Sequence, residues 1–174
     1  VACDRGHGKR QRVIVAATPL TLRERKFAVL MDRFKADHTI FPEPCPGLVE
    51  IVEHGQLDDH DVVMRTLHQY FDQYDLSTID SVVLGCTHYP FLSNVLKREL
   101  GSGTELIDPS AAVARELKHQ LSKRGLLSDG AKGKEVFYIS GDAEKHRAVI
   151  ERLWNSEEAL DLRSVPPATK ATLS

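Results

Sequence analysis

Short apolar runs alternate regularly along the chain with longer segments of helical periodicity. Apolar runs of strand length occur at 12–17 and 79–84 and again at 135–140, with weaker ones at 38–41 and 105–108. Between them, apolar residues recur at helical spacing in segments 22–37, 57–75, 91–100, 109–124 and 142–154. Strands that alternate with helices pair in parallel, so the pattern predicts an α/β fold with a doubly wound parallel sheet and helices on both faces.

One segment does not follow the alternation. Pro42, Pro44 and Pro46 surround Cys45 just after the weak run at 38–41. Because proline cannot donate to a strand ladder, we expect an irregular loop here, leading into a short helix at about 48–54.

The chain length of 174 residues fits one domain. We expect residues 12–160 to form the α/β domain, residues 1–11 to be a basic N-terminal segment, and residues 161–174 to be a C-terminal tail. The chain begins at Val1 within a polar, basic stretch. We interpret this start as a break inside a longer chain, which would leave the sheet incomplete.

Composition excludes several classes of protein. Hydrophobic residues make up 41% and charged residues 28%, and the net charge is -2 without long blocks of one sign, so neither a nucleic-acid partner nor a lipid surface is predicted. No apolar run approaches the roughly 20 residues needed to cross a bilayer, and no signal pattern is visible. The three cysteines form no CxxC pair. These observations predict a cytoplasmic protein with reduced thiols and no membrane partner.

The predicted strand at 79–84 runs directly into residues 85–90 (GCTHYP) and then into a helix. A thiol at this place, Cys86, receives free backbone N–H groups and the positive end of the helix dipole, and both favour the thiolate. His88, two residues on, is placed to exchange a proton with the thiol or with a substrate. The alternative is that Cys86 is a small buried apolar residue and His88 an ordinary turn residue.

Residues 85–90, entered by VVL and followed by FL, resemble the second-cysteine signature of glutamate racemases, in the aspartate/glutamate racemase superfamily. Residues 45–55 (CPGLVEIVEHG) resemble a second segment of that family, with Cys-Pro, apolar residues and Val-Glu before a glycine. Residues 18–21 (TPLT) and 107–110 (IDPS) resemble two further turns. The resemblance spans roughly residues 12–125 and implies an aspartate/glutamate racemase-like fold.

The resemblance implies an isomerase that interconverts L- and D-glutamate without a cofactor or a metal and supplies D-glutamate for peptidoglycan, hence for cell wall biogenesis and cell shape. Such an enzyme uses two cysteines, since a proton must leave Cα on one face and return on the other. Cys86 matches the second thiol, which serves the L-enantiomer. Glu53 and His88 match the carboxylate and imidazole that assist proton transfer, and Thr87 and Thr21 match substrate-binding positions.

The chain departs from the family pattern at its beginning. Family members carry a first cysteine followed by Asn-Thr, after an Asp-Ser-Gly-rich loop, whereas Cys3 is followed by Asp-Arg. The resemblance therefore implies the C-terminal portion of a racemase without the opposing half of the site, and whether such a piece is active alone stays open. Apolar faces exposed by the missing half would favour a homo-oligomer.

Two other functions stay open. A thiol-dependent hydrolase or transferase would use Cys86 and His88 as nucleophile and base, and would need an orienting acid, for which only Glu53 is available, and an oxyanion hole. A non-catalytic α/β module could bind zinc through Cys86, His88, Cys3 and His7, although this spacing matches no standard zinc motif.

Overall fold

The structure is a computed structural model that describes residues 9–130, 133–155 and 158–166. Its contacts divide the chain at the Leu126–Leu127 junction into two compact units. The four-stranded sheet and most of the core belong to the first unit.

The first unit contains a parallel sheet with strand order β2-β1-β3-β4. Its elements, in chain order, are β1 (Arg12–Ala17), α1 (Pro19–Arg23), α2 (Arg25–Lys35), β2 (Thr39–Pro44), α3 (Pro46–Glu53), α4 (His60–Phe71), β3 (Ser81–Leu84), α5 (Ser93–Leu100), β4 (Glu105–Ile107) and α6 (Ser110–Lys123). Short 3₁₀ turns at Leu76–Thr78 and Tyr89–Leu92 precede β3 and α5.

The strand order explains why helices cover both faces. The chain leaves β1 toward one edge to form β2, and then returns across β1 to form β3 and β4. Since parallel crossovers are right-handed, the reversal places α2 on one face and α4 and α5 on the other. The predicted α/β fold with a doubly wound parallel sheet is confirmed.

The expectation of an irregular loop at the three prolines is wrong for its first half. β2 continues through Pro42 to Pro44 and pairs with β1 along its whole length. Thr39 N–H donates to Gln11 C=O, and Cys45 N–H donates to Ala17 C=O. The odd-numbered residues of β2 therefore direct their backbone N–H groups toward β1. The nitrogens of Pro42 and Pro44 therefore point to the open edge, where no donor is required.

The core lies mainly between the sheet and helices α3 to α5. Ile14, Leu48, Val82 and Leu96 have almost no exposed surface. On the opposite face, α2 and α6 contain no buried residue, and a cavity of about 560 Å³ lies between them over the sheet. The two faces of this unit are thus unequally packed.

The second unit contains β5 (Val136–Ser140), α7 (Ala143–Trp154) and β6 (Asp161–Val165), with β5 and β6 parallel. The expected start of a C-terminal tail at residue 161 is wrong, because residues 161–165 form a strand with a complete register to β5. Residues 1–8 and 167–174 of the expected terminal segments lie outside the described residues. The single domain at 12–160 stays a prediction, and the contacts place a division inside it.

No helix in the described parts of the chain has the length and apolar character required to span a bilayer.

Candidate active site

The carboxyl ends of the four strands in the first unit meet at one edge of the sheet. Residues 18–21 follow β1, Cys45 follows β2, and Gly85 and Cys86 follow β3. Side chains that are distant in sequence therefore come together here, as is usual for sites in parallel α/β sheets.

Gly85 makes the exit from β3 possible. Its N–H donates to the Ala16 carbonyl at 2.7 Å, which brings the two strand ends into close contact. A Cβ at this position would lie 2.9 Å from the Ala16 carbonyl oxygen and 3.1 Å from the Ala17 Cβ. The absence of a side chain thus allows Cys86 to follow immediately at the strand end.

Cys86, His88 and Glu53 form a continuous chain of polar contacts. The Cys86 Sγ lies 3.7 Å from His88 Nδ1, and His88 Nε2 lies 2.6 Å from Glu53 Oε1. Because an ionised carboxylate only accepts, Nε2 carries the proton in this pair. In the neutral imidazole, Nδ1 then presents its lone pair to the thiol, so that His88 can accept the thiol proton.

Glu53 enters this chain from a different element. It is the last residue of α3, whereas His88 lies in the turn between β3 and α5. The side chains of His88 and Glu53 are 29% and 58% exposed, so the pair is screened by water and contributes little stability by itself. Its geometry must therefore be set by the backbones that carry it.

The turn also presents backbone donors. Within the described residues, no hydrogen bond is donated by the backbone N–H of Cys86, Thr87 or His88. The next N–H groups are used internally, Tyr89 to the Cys86 carbonyl and Phe91 to the His88 carbonyl. These three successive N–H groups are donors available to a carboxylate or an oxyanion.

The two threonines occupy different positions relative to this chain. Thr87 is exposed, with Oγ1 3.4 Å from His88 Nδ1. Thr21 lies in α1, with its hydroxyl 3.0 Å from that of Thr18, and it lines the 560 Å³ cavity together with Gly85. No hydrogen bond joins Thr21 to the other predicted site residues within the part of the chain that is described. The structure thus brings four of the five predicted residues together and leaves Thr21 at the neighbouring strand end.

The second described cysteine, Cys45, is less accessible than Cys86. Cys45 is fully buried, its thiol donates to the Glu43 carbonyl, and burial, with a smaller effect of Glu43, raises the pKa of the thiol far above its usual range. Cys86 is partly exposed. Cys86 is therefore the described thiol that is placed for chemistry, and Cys3 lies outside the described residues.

No metal-binding arrangement of three or more His, Cys, Asp or Glu residues occurs among the residues that the structure describes. Cys3 and His7, which the zinc hypothesis needs, both lie outside the described ranges.

Two tyrosines that support the site from its buried side were not predicted from the sequence. The Tyr89 hydroxyl donates to the Cys45 carbonyl at 2.8 Å, and the Tyr70 hydroxyl accepts from the Gly47 N–H at 2.9 Å. Tyr89 lies in the GCTHYP segment itself, but nothing in one sequence identifies a partner 44 residues away. Tyr70 follows a helical apolar pattern, which predicts burial and says nothing about its hydroxyl.

A thiol, an imidazole and a carboxylate in line at the carboxyl ends of parallel strands can move a proton or an acyl group at the cysteine. The glutamate racemase of Bifidobacterium adolescentis is 76% identical to this chain over 128 residues, covering 74% of the chain and 50% of the racemase. The glutamate racemase of Bifidobacterium animalis subsp. lactis is 54% identical over 157 residues, 87% of the chain and 61% of the racemase.

A solved structure agrees with these relatives. The crystal structure of glutamate racemase from Francisella tularensis in complex with D-glutamate matches with a TM-score of 0.75 and 26% identity, over 89% of this chain and 57% of that one. No protein-family model matches. The chain belongs to the glutamate racemase family. It spans about half to three fifths of the length of the curated relatives it matches.

Proposed function

We propose that this chain carries one proton-transferring half of a glutamate racemase site, with Cys86 as the acid/base that acts at Cα of the substrate. The observation that carries the proposal is the alignment of Cys86, His88 and Glu53 through contacts of 3.7 and 2.6 Å. That arrangement gives the thiol a proton acceptor and gives the acceptor an orienting carboxylate.

The proposed step is a proton transfer at carbon. The Cys86 thiolate takes the Cα proton of glutamate, the S–H bond forms as the C–H bond breaks, and the electron pair stays on the Cα-carboxylate unit as a carbanion. Return of a proton from a second acid on the opposite face gives the other enantiomer, whereas return from Cys86 restores the first. His88 is the proposed acceptor of the thiol proton, and Glu53 holds the imidazole in the orientation that this transfer requires.

Substrate recognition is proposed for the turn that follows β3. The free N–H groups of Cys86, Thr87 and His88 would hold a substrate carboxylate, and charge-assisted hydrogen bonds of this kind are stronger than neutral ones. Negative charge that develops on that carboxylate during proton removal would then be stabilised by fixed dipoles. Thr87 and Thr21 would add hydroxyl contacts.

Glutamate as the substrate is proposed from the relatives. The curated relatives are named glutamate racemase, and the Francisella structure holds D-glutamate. The roles in peptidoglycan and cell wall biogenesis, the cytoplasmic location and the assignment to the C-terminal portion are proposed on the same resemblance. Homo-oligomerisation is proposed because apolar residues such as Leu30, Val113 and Leu117 are exposed on α2 and α6.

Exchange of the Cα proton in D₂O tests the proposal. L- and D-glutamate are incubated with the chain, its Cys86→Ala variant and a Cys45→Ala control, and deuterium at Cα is followed by NMR. We expect exchange of one enantiomer, abolished by Cys86→Ala and retained in Cys45→Ala. Conversion to the other enantiomer would show that a second acid is present. Exchange that persists in Cys86→Ala, or absence of exchange from the folded chain, would contradict a working half-site at Cys86.

A second candidate is favoured by the same geometry. Cys86, His88 and Glu53 have the order of a nucleophile, a base and an orienting acid, and free N–H groups lie beside the thiol. A thiol hydrolase would acylate Cys86 and release the acyl group to water. A burst of p-nitrophenol from p-nitrophenyl acetate followed by turnover, abolished by Cys86→Ala, would favour this candidate, and a burst without turnover would count against it.

A further inference from the structure

Beneath the polar chain of the proposed site lies a second set of contacts that joins the two elements carrying it. Tyr89 follows His88 directly and belongs to the same turn, yet its hydroxyl crosses to the Cys45 carbonyl at the start of α3. Its side chain has no exposed surface. The turn with Cys86 and His88 is thereby tied to the helix that ends at Glu53.

The start of α3 is held from a second side. Cys45 at the N-cap makes no side-chain capping bond, and the N–H of Gly47 is satisfied instead by the Tyr70 hydroxyl from α4. A Cβ at Gly47 would lie 2.9 Å from that hydroxyl oxygen, so the close approach depends on the glycine. Tyr70 thus supplies from another helix the cap that the N-cap residue lacks.

These two anchors matter because α3 is short. An isolated helix of eight residues is not stable in water, so its position depends on tertiary contacts. Gly47 and Glu53 are separated by about 9 Å at a rise of 1.5 Å per residue. Because the helix is short and rigid, fixing its backbone at Gly47 also fixes the backbone of Glu53.

The Glu53–His88 pair cannot supply this order itself. Both side chains are partly exposed to solvent, and a contact exposed in this way contributes little to stability. Their contact of 2.6 Å is therefore a consequence of where α3 and the turn are held.

We propose that Tyr89, assisted by Tyr70, is a positioning residue that holds the end of α3 in register with the turn after β3 and so sets the Glu53–His88 contact. Tyr89 acts through its hydroxyl and through other residues, without contact to a substrate. The inference rests on the proposed function and extends the site to the buried tyrosines beneath it.

The hydroxyl is suited to this task because it stays protonated. Burial, with smaller contributions from Cys45 and Cys86, raises the pKa of the Tyr89 phenol far above its usual range. The Tyr89 hydroxyl therefore remains a hydrogen-bond donor throughout the pH range in which the Cys86 thiol would act.

Alkylation of Cys86 by iodoacetamide tests the proposal without requiring turnover. The parent is the full chain with Cys3→Ser, so that Cys86 is the reactive thiol. Rates are measured from pH 6 to 9 for the parent, Tyr89→Phe, Glu53→Gln and the double variant. Glu50→Gln on the same helix and Tyr74→Phe, which removes a different hydroxyl that donates to Glu43, are the controls.

We expect Glu53→Gln and Tyr89→Phe to slow alkylation at pH 7 by a similar factor, on the order of tenfold, and to share one pH profile. The double variant should be no slower than Glu53→Gln, since residues that act through one contact are not additive. Both controls should keep the parent profile, although Tyr74→Phe loses stability.

Two outcomes would overturn the proposal: a parent-like profile in Tyr89→Phe, or losses that multiply in the double variant. Where Tyr89→Phe does not fold, Tyr70→Phe takes its place with the same expectations. The result is independent of glutamate chemistry. If the alkylation pattern is as expected but no Cα exchange occurs, the proposed function is wrong and this inference stands. If Cα exchange occurs but Tyr89→Phe keeps the parent alkylation profile, this inference is wrong and the proposed function stands.

Discussion

His88 and Glu53 are 35 residues apart in the chain, yet the imidazole Nε2 and the carboxylate Oε1 lie 2.6 Å apart. The contact joins the end of α3 to the turn that follows β3. Through this contact, the Cys86 thiol, the His88 imidazole and the Glu53 carboxylate form one chain of polar contacts.

The two described thiols should differ sharply in reactivity. In the folded Cys3→Ser chain, we expect iodoacetamide to modify Cys86 at least about a hundredfold faster than Cys45 between pH 7 and 9, since the Cys45 thiol is buried and protonated. Peptide mapping by mass spectrometry gives both rates, and the unfolded chain, in which both thiols react, is the control. Comparable rates in the folded chain would contradict the burial of Cys45.

Gly85→Ala should destabilise the first unit by about 1–3 kcal/mol, because the added Cβ meets the backbone oxygen of Ala16 at 2.9 Å. Gly103→Ala is the matched control, as its Cβ would meet nothing within 4 Å. Urea unfolding gives both free energies. Equal stabilities of the two variants would show that Gly85 does not lie as close to the Ala16 carbonyl as described.

The sequence predicts this strand exit well and its surroundings less well. The alternation of strands and helices and the turn at 85–90 are local patterns. The pairing of β2 through Pro42 and Pro44 could not be predicted, since it depends on β2 being an edge strand, and strand order is not a local property. Similarly, β6 was missed because its partner, β5, lies more than 20 residues away.

The site was predictable to the extent that it follows motifs. Cys86, His88, Thr87 and Glu53 lie in segments that resemble a family, and the structure brings them together. The Tyr89 and Tyr70 contacts carry no such signal, because their partners are main-chain atoms, which have no side-chain identity to read.

Alkaline pH should destabilise the first unit. Burial raises the pKa of Tyr70, Tyr74 and Tyr89, and Glu43 adds to the effect at Tyr74. Above the unfolded value of about 10, the unfolded chain has released these protons and the folded chain still binds them, so the free energy of unfolding falls as pH rises. Between its unfolded and folded pKa values, each such group contributes a slope of at most about 1.4 kcal/mol per pH unit.

Urea unfolding between pH 8 and 11.5 checks this expectation. The Tyr74→Phe variant should show a shallower decline above pH 10, because it lacks one of the three groups. A free energy of unfolding that stays constant to pH 11.5, or an unchanged slope in Tyr74→Phe, would be inconsistent with the raised phenol pKa values.

We propose that Cys86, His88 and Glu53 act as one proton-transfer unit. The most direct measurement is the rate of Cα deuterium incorporation into L-glutamate by the chain, Cys86→Ala, His88→Asn, Glu53→Gln and the double variant of the last two. We predict no incorporation in Cys86→Ala, a loss on the order of a hundredfold in His88→Asn, and a double variant no slower than His88→Asn alone. Incorporation by Cys86→Ala at the rate of the unchanged chain, or losses that multiply in the double variant, would contradict the claim.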